Sequence, residues 1–577
     1  MPAVFVVVVV LIAFFLAYRF YSTYLAEKVY ALDKDFQTPA HEFEDGVDYV
    51  PTNKHVLFGH HFTSVAGAAP IVGPAIAVFW GWVPALLWVV IGTIFAAGVH
   101  DFGSLVVSVR NRAQNIGTLT SSVINARSRT LFLLIIFFLL TLVNAVFAVV
   151  MAILFESNPG AVIPAVLIIP IAIAVGQLAY RSRMSLLIPT IVGVTLLYVF
   201  IPVGQVFPIT VEPLAGALGW DVRTTWVVLI FAYTWFASRL PVWLLLQPRD
   251  YLNSYQLFIA LGVIFLGVAV GFDRIVAPAL NTDLPAGSPN WFPFLFITIA
   301  CGAISGFHSL VASGTSSKQL ANETDARYVG YMGALGEGSL ALASILACTA
   351  GIGALAAWQE KYTDFGTASD GAVGNFTEGV GHFANNLGIP LEMGTIFAAV
   401  VVITFAGTTM DTGIRLQRYI IQEIGEIVRV GSLTRNITLT TTIGVLIPLG
   451  LALFPGGGET GGFVFGNLWR LFGTTNQLTA GLALAIVAVW VFTRGRNPIA
   501  QIVPLVFLLA MTTWALFLQL GTFYQEGSWL LTILDAIIFV LALWLIIEAI
   551  GAFRRAQQQR RTGQSAGESE GGSRDER

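Results

Sequence analysis

The strongest constraint in this sequence is a series of apolar stretches, each long enough to cross a lipid bilayer. A hydrocarbon core of about 30 Å requires about 20 apolar residues of helix, and about fifteen stretches approach that length. Only 11% of the 577 residues are charged, whereas a soluble chain carries about 25% charged residues. A larger core cannot explain this shortfall, because soluble cores stop growing at about 250–300 residues. The sequence therefore predicts an all-α membrane protein with about fifteen transmembrane helices.

Several functional classes find no support in the composition and motifs. A net charge of −3 gives no reason to expect a nucleic-acid partner. Both cysteines, Cys301 and Cys348, lie in apolar runs and form neither a metal-ligand spacing nor a disulfide scaffold. No HExxH or GxSxG pattern lies on an apolar stretch, and no polar segment is long enough for an enzyme domain. We expect no catalytic activity, no bound metal and no cofactor.

The basic residues predict the orientation, because Lys and Arg concentrate in cytoplasmic loops. If the C-terminus is inside and sides alternate, the inside loops collect most of the 30 Lys and Arg residues. The N-terminus is then outside, and residues 1–21 form a retained accessory helix rather than a cleaved signal. Residues 551–577, which are polar and rich in Gly and Ser toward the end, are expected to form a disordered cytoplasmic tail.

The second apolar stretch, 59–79, contains a cluster of helix-breaking residues at mid-depth. Proline removes a backbone donor and glycine lets the chain unwind. Transporters bind substrate where such a helix breaks near the membrane midplane. We therefore expect a substrate site there; a kinked, closely packed helix is the alternative. The residues concerned are Gly67, Ala68, Pro70 and Gly73.

The seventh stretch, 225–246, is interrupted at 238–241 and enters the membrane from the opposite side. A pair of broken helices five spans apart with opposite directions is what an inverted five-plus-five repeat requires. The sequence thus predicts a first repeat at 59–206 and a second repeat at 225–412. The C-terminal helices, 437–550, would be accessory.

Ionisable residues in hydrocarbon are costly, so they usually face a cavity or a partner. Arg239, beside the predicted second break, could hold a substrate carboxylate or form a structural ion pair. Asp101 could carry a coupling proton, or could pair near the end of its helix. His308 and Ser309 lie on a span rich in Ser and could contact substrate; a satisfied core histidine is the alternative.

Other polar groups could serve ion coupling or gating. His60 and His61 could titrate or gate, but no third metal ligand accompanies them. Thr408 and Asp411 could hold Na⁺ through oxygen atoms, or could cap a helix end. Two charged cytoplasmic segments are expected to form either a gate or a solvated salt-bridge cluster. Their charged residues are Arg249 and Asp250 in one, and Lys318, Glu323 and Asp325 in the other.

Six motifs in order along the chain resemble the carbon starvation protein A (CstA) family. They are GHHFTSVAGAAPIVGP (59–74), HDFGSLVVSVRN (100–111), LPVWLLLQPRDYLN (240–253), ISGFHSLVASGTSSKQ (304–319), TTMDTGIRLQRY (408–419) and LFGTTNQLTAG (471–481). The chain is shorter than the larger members, and TTNQL varies slightly from the commoner form. The resemblance implies uptake of peptides or pyruvate during carbon starvation, with proton coupling in the pyruvate carriers. It also implies kinship with inverted-repeat transporters of the LeuT/APC type.

The leading hypothesis is a proton-coupled importer of small carboxylate-bearing nutrients, peptides or pyruvate, in the inner membrane. Its partners would be the substrate, the coupling proton and membrane lipid. A channel or a nutrient sensor without active accumulation is the alternative.

Overall fold

The computed structural model describes residues 1–46, 48–123, 126–182, 187–241, 244–454 and 465–562. These residues fold almost entirely into helices, and the only strand pairing among them is two isolated bridges. Eleven helices are long and apolar enough to cross a membrane, or up to thirteen if each of two bent pairs is one span. This confirms a multi-pass helical membrane protein. The count of about fifteen stays a prediction, because two of the expected spans coincide with shorter or broken helices.

Nineteen helices carry the labels used below. In the first half of the chain they are α1 Ala3–Tyr30, α2 Lys54–Val65, α3 Ala69–Trp80, α4 Trp82–Val109, α5 Ala126–Ser157, α6 Val162–Ser182, α7 Leu187–Val206, α8 Glu212–Leu218, α9 Val222–Ala237 and α10 Leu246–Gly271. In the second half they are α11 Trp291–Thr298, α12 Gly306–Gly314, α13 Glu323–Ala347, α14 Ala372–Asn386, α15 Leu391–Ile427, α16 Ile437–Ala452, α17 Phe465–Thr493, α18 Ile499–Gln525 and α19 Trp529–Thr562. Five shorter helices connect them: Pro39–Glu42, Ile116–Val123, Leu355–Lys361, Phe365–Asp370 and Gly431–Arg435.

The end of the chain differs from the expected tail. Helix α19 continues to Thr562, so residues 551–562 are helical rather than disordered. Residues 563–577 of the predicted tail lie outside the described residues.

The break predicted in the second apolar stretch is confirmed. Helix α2 ends at Val65, α3 begins at Ala69, and the two halves meet at 49°. Gly67 lies in the break with no room for a side chain, because a Cβ there would be 2.8 Å from Oγ1 of Thr409 on α15. Pro70 occupies the first turn of α3, where its missing N–H removes no intrahelical hydrogen bond.

The second break does not lie where the sequence predicted it. Helix α9 ends at Ala237 and α10 begins at Leu246, so residues 238–241 join two helices instead of interrupting one. The predicted span 225–246 combined most of α9 with the connection after it and reached only the first residue of α10, because the apolar pattern continues through the connection. The second broken span is formed by α11 and α12, which are separated by residues 299–305. Gly302 has a φ of +91° there, a conformation that favours glycine.

The backbone groups freed by the second break are bonded by side chains of neighbouring helices. Four carbonyl oxygens accept hydrogen bonds from donors on α4 and α17, at 2.6–3.1 Å. In a fifth hydrogen bond, the N–H of Phe307 donates to the side-chain oxygen of Asn476 on α17, 3.1 Å away. The acceptor–donor pairs are Phe296–Gln477, Thr298–Trp469, Ile299–Trp88 and Gly302–Thr93. Helix α17, grouped with the accessory helices by the sequence, therefore lies against the break.

The two broken spans run antiparallel. Helix α2 packs beside α12 and α3 packs beside α11, and the N–H of Thr52 before α2 bonds to the carbonyl of Gln319 after α12 at 3.0 Å. After each broken span comes a long helix, α4 in the first series and α13 in the second. The later helices correspond in order and in length: α5 and α15 have 32 and 37 residues, α9 and α16 have 16 residues each, and α10 and α17 have 26 and 29 residues. Helices α6, α7 and α8 are additional in the first series, and α14 is additional in the second, between α13 and α15.

Two long helices, α5 with 32 residues and α15 with 37, pack along each other at the centre. Their contact includes a buried polar chain in which the Asn144 amide donates to Gln417, 3.1 Å away, and Gln417 donates to Thr141, 2.7 Å away. Helices α1 and α19 are the least buried of the long spans and α18 is half buried. Their large apolar side chains face outward, as expected for helices in contact with lipid.

The close approach of α3 to α11 gives a stability prediction. A Cβ at Gly73 would lie 2.5 Å from the carbonyl oxygen of Thr298, which is backbone and cannot move alone. Gly73→Ala should therefore destabilise the protein by about 1–3 kcal/mol through overpacking. Gly450→Ala is the matched control, because nothing lies within 4 Å of its added Cβ. Thermal unfolding in detergent measures both variants, and equal unfolding midpoints would contradict the prediction.

Candidate functional site

Four buried ionisable residues meet beside the second break, and we call them the acid–histidine cluster: His100, Asp101, His308 and Glu337. Both oxygens of Asp101 are engaged, with Nδ1 of His100 2.7 Å from Oδ1 and Nδ1 of His308 2.8 Å from Oδ2. Nε2 of His308 lies 3.3 Å from Oε1 of Glu337. All four side chains are inaccessible to solvent or nearly so. The cluster is a continuous row of titratable groups inside the helix bundle.

Three helices supply the cluster, and the break positions one of them. His100 and Asp101 are on α4, Glu337 is on α13, and His308 is in the first turn of α12, directly after the break. Oε1 of Glu337 also accepts the backbone N–H of Gly302 at 3.1 Å. The same carboxylate therefore contacts both the break and the histidine that follows it.

The geometry fixes the charge balance of the cluster. Nδ1 of His308 is within hydrogen-bonding distance of Oδ2 of Asp101, and Nε2 is at ion-pair distance from Oε1 of Glu337 without a hydrogen bond. An imidazolium cation is the form of the ring that attracts both carboxylates. One cation then lies between two carboxylates, Asp101 and Glu337. With both acids ionised and His100 neutral, the buried cluster carries a net charge of −1. An unbalanced buried charge is costly, so binding of one proton is favoured.

A second buried group, which we call the arginine cluster, comprises His60, Tyr233, Arg249, Asp250 and Asp411. Nη1 of Arg249 donates to Asp411 at 2.6 Å and to the Tyr233 hydroxyl at 2.7 Å. The Tyr233 hydroxyl donates to the same Asp411 oxygen at 2.9 Å. Nδ1 of His60 lies 3.8 Å from Asp250. Arg249 and Asp250 are each 2% exposed, so this cluster is also inside the protein rather than on a solvated loop.

The adjacent histidines of α2 face different clusters. His60 faces Asp250 of the arginine cluster. His61 bonds through Nδ1 to the hydroxyl of Ser316 at 2.8 Å, and its ring packs against Gly333 on α13. The ring of His61 is within electrostatic reach of Asp101 and His308. Helix α2 thus lies between the two clusters, and the two histidines do not act as one pair.

Arg239 lies away from both helix breaks. Its side chain is exposed, stacks over Trp235 at 4.5 Å and donates to Thr438 at 2.9 Å. It lies in the connection between α9 and α10 because the expected interruption of a span is absent. The structure therefore does not place Arg239 at a helix break, and its contact with substrate stays a prediction.

Two of the oxygens expected to hold Na⁺, Oγ1 of Thr408 and Oδ2 of Asp411, already accept other donors, whereas Oδ1 of Asp411 is buried without a partner. Oγ1 of Thr408 accepts the amide of Asn253 at 2.7 Å, and Asp411 is paired with Arg249. They do not form a shared cation cage. Within the described ranges, no group of three or more His, Cys, Asp or Glu side chains is arranged to hold a metal ion.

The residues predicted as one cytoplasmic gate form separate contacts. Glu323 is fully buried, forms a two-point ion pair with Arg110, and accepts the N–H of Asp33 at 2.6 Å. Asp325 lies 3.9 Å from Lys54, and the ammonium of Lys318 lies over the ring of Tyr49. These contacts join the segments before α2 and after α12. Arg249 and Asp250 belong to the arginine cluster instead.

Two of the predicted residues, Asp101 and His308, lie in the acid–histidine cluster, and one functional candidate, Glu337, was missed. The structure brings Asp101 and His308 together; Ser309 follows on α12 and bonds to its own helix at Gly306. Glu337 was missed, although it is an acid within a predicted apolar span and the rule applied to Asp101 would have found it. Its contact with His308 and Gly302 connects distant parts of the chain and leaves no local pattern.

The arginine cluster gives a contrast between two arginines. Arg249→Ala should lower the free energy of unfolding by about 3–5 kcal/mol, because it leaves Asp411 buried without its cation. Arg239→Ala should cost less than about 1 kcal/mol, since that side chain is exposed. Thermal unfolding in detergent measures both. The double variant Arg249→Met with Asp411→Leu should recover part of the loss; an Arg249→Ala protein as stable as Arg239→Ala would contradict the prediction.

Comparisons with known proteins agree on one family. The family described as "Carbon starvation protein CstA" matches residues 2–357 and 354–515. The pyruvate/proton symporter BtsT of Escherichia coli is 31% identical over 91% of this chain and 84% of its own length. The peptide transporter CstA of Bacillus subtilis is 32% identical over 95% of this chain and 97% of its own length.

Among solved structures, the chain is similar to the manganese transporter of Eremococcus coleocola. A mutant of that protein matches with a TM-score of 0.42 and 14% identity, covering 89% of this chain and 99% of that one. The family match covers most of the chain, and the relatives span nearly all of it. The protein belongs to the carbon starvation protein CstA family.

Proposed function

We propose that this protein is a proton-coupled importer of small carboxylate-bearing nutrients, pyruvate or peptides, in the inner membrane of the cell. The observation that carries the proposal is the acid–histidine cluster. It is fully buried, it lies at a helix break, and it carries one uncompensated negative charge when both acids are ionised. One proton neutralises it. A group that gains stability from one proton and contacts a break can couple proton movement to a conformational change.

The proposed substrate site lies at the first break, next to Thr409 of α15. At the start of α3, Ile71 and Val72 donate to the carbonyl of Ala68, and Pro70 has no N–H. The N–H groups of Ala68 and Ala69 are therefore those that could meet a ligand, at the positive end of the helix dipole. A carboxylate is the chemical group that such a site favours. Gly67, Pro70 and Gly73 allow this close packing, and His308 and Ser309 follow the other break. Pyruvate and peptides both carry a carboxylate, in agreement with the names of the relatives.

The two broken spans and the helices after them support an inverted repeat. Residues 54–271 and 291–493 each begin with a broken span and continue with corresponding helices, and the broken spans run antiparallel. These limits replace 59–206 and 225–412, because the second series begins at Trp291. In this arrangement α6, α7 and α8 are insertions in the first repeat, α14 is an insertion in the second, and α18 and α19 are accessory. Alternating access would arise from movement of the broken spans against α5 and α15.

The ends of the broken spans suggest which contacts close the cytoplasmic side. Arg110 and Glu323 lie in segments that the distribution of basic residues places in the cytoplasm, and they form a buried ion pair. Lys54 and Asp325 join the start of α2 to the start of α13. We propose that these pairs, with the arginine cluster, separate and re-form as the site opens and closes to the cytoplasm. The N-terminus would then be outside.

A channel or a nutrient sensor is the alternative class. Neither would accumulate a solute against its gradient. Proteoliposomes loaded at one pH and diluted into a lower pH distinguish these classes, because only a proton symporter concentrates labelled substrate and stops when a protonophore is added.

The role of Asp101 is tested in the same vesicles with labelled pyruvate and a labelled dipeptide. Wild-type protein should accumulate at least one of them in response to an inward proton gradient. Asp101→Asn should abolish this accumulation, because the cluster is then neutral without a coupling proton. Asp283→Asn, the same change at an exposed loop residue, should behave like wild type. Undiminished, protonophore-sensitive accumulation by Asp101→Asn would contradict the coupling role. If the wild-type protein transports neither pyruvate nor the dipeptide, the proposed substrate class is contradicted.

A further inference from the structure

The two carboxylates of the acid–histidine cluster are not equivalent. Oδ1 of Asp101 faces Nδ1 of His100, and Oδ2 faces Nδ1 of His308, at 2.7 and 2.8 Å. Donors to both oxygens stabilise the ionised form of a carboxylate. A proton added to Asp101 would displace one of these donors.

Glu337 differs in that one of its oxygens is free. Oε1 is near Nε2 of His308 and accepts the N–H of Gly302. Oε2 is buried and has no hydrogen-bond partner. A buried carboxylate oxygen without a donor is costly while it is charged. A proton on that oxygen removes the charge and displaces no existing bond.

We infer that the coupling proton resides on Oε2 of Glu337, with Asp101 remaining ionised, and that Glu337 transmits proton binding to the second helix break through Gly302. This inference rests on the proposed function and names the residue that holds the proton. When the proton binds, an O–H bond forms at Oε2, and the buried cluster becomes neutral. When the proton leaves, it passes to water on the other side of the membrane and Glu337 is ionised again.

The contact with Gly302 gives this proton a structural effect. An N–H bond to a carboxylate is roughly twice as strong as one to a neutral acceptor. The bond between Glu337 and Gly302 is therefore stronger when Glu337 is ionised and weaker when it is protonated. Because Gly302 lies in the break and α12 follows it, protonation loosens the attachment of α12 to α13. The proton thus changes how firmly a broken span is held.

The groups that face Glu337 are consistent with one proton. His308 faces it from α12, the carboxylate of Asp101 on α4 lies on the other side of His308, and the thiol of Cys301 lies in the break. Only His308 among them is a cation, and it is shared with Asp101. Glu337 is therefore the acid of the cluster that lacks a full counter-charge.

Infrared difference spectroscopy on the purified wild-type protein, titrated with acid, tests the location of the proton. Protonation of a buried acid produces a carboxylic C=O stretching band. The band should shift when the protein is made with carboxyl-¹³C glutamate and stay in place with carboxyl-¹³C aspartate. It should disappear in Glu337→Gln and remain in Glu360→Gln, the same change at an exposed residue. Other buried acids such as Asp250 can add bands that shift with labelled aspartate, so the glutamate-sensitive band decides. If no band shifts with labelled glutamate, or if that band persists in Glu337→Gln, the inference is overturned.

Transport measurements test the coupling role. Glu337→Gln keeps an oxygen that can accept the Gly302 N–H but cannot take the proton. It should lose all protonophore-sensitive accumulation and the pH dependence of uptake, while Glu360→Gln keeps both. Retention of proton-driven accumulation by Glu337→Gln overturns the inference. If wild-type protein accumulates no substrate in any proton gradient, the proposed function fails, and the isotope-edited band still decides whether Glu337 holds the proton.

Discussion

A helix that breaks inside a membrane must find partners for the backbone groups that it exposes, because lipid supplies none. The second broken span meets this requirement through donors on α4 and α17, including Trp88, Trp469 and Gln477. The only charged partner described for the break is Glu337, which binds the N–H of Gly302. The packing of three helices around the break thus follows from the need to satisfy a few peptide groups.

The buried charges follow the same logic. Each of the two clusters has two carboxylates and one firmly placed cation: His308 in the acid–histidine cluster and Arg249 in the arginine cluster. A purely structural ion pair would balance its charge, since an unmatched charge in a low-dielectric interior is costly. A remaining negative charge is useful where a proton or a cationic group arrives and departs. Each cluster therefore keeps one buried negative charge, which the proposed cycle of proton binding and release would use.

The sequence predicted the class of the protein and much of the first break, because both depend on local features. Apolar length identifies the spans, and the cluster around Gly67 and Pro70 identifies a break directly. The second break was misplaced because Pro241 marks the end of a helix as strongly as an interruption would, whereas the break at 299–305 contains no proline. The site was predicted only in part. Asp101 and His308 were found as polar residues in apolar spans, but their contact with each other depends on the packing of α4 against α12.

The rings of His60 and His61 face different partners, and this restricts how α2 can move. Neighbouring residues of a helix are roughly 100° apart around its axis. His60 and His61 therefore contact their separate partners at the same time in one rotational position of α2. Rotation of α2 about its axis would withdraw both imidazoles at once and bring neither to a new acceptor. Tilting or sliding away from the bundle preserves the angular relation and separates both contacts in a single event. The two adjacent histidines therefore allow α2 to tilt but oppose its rotation about its own axis.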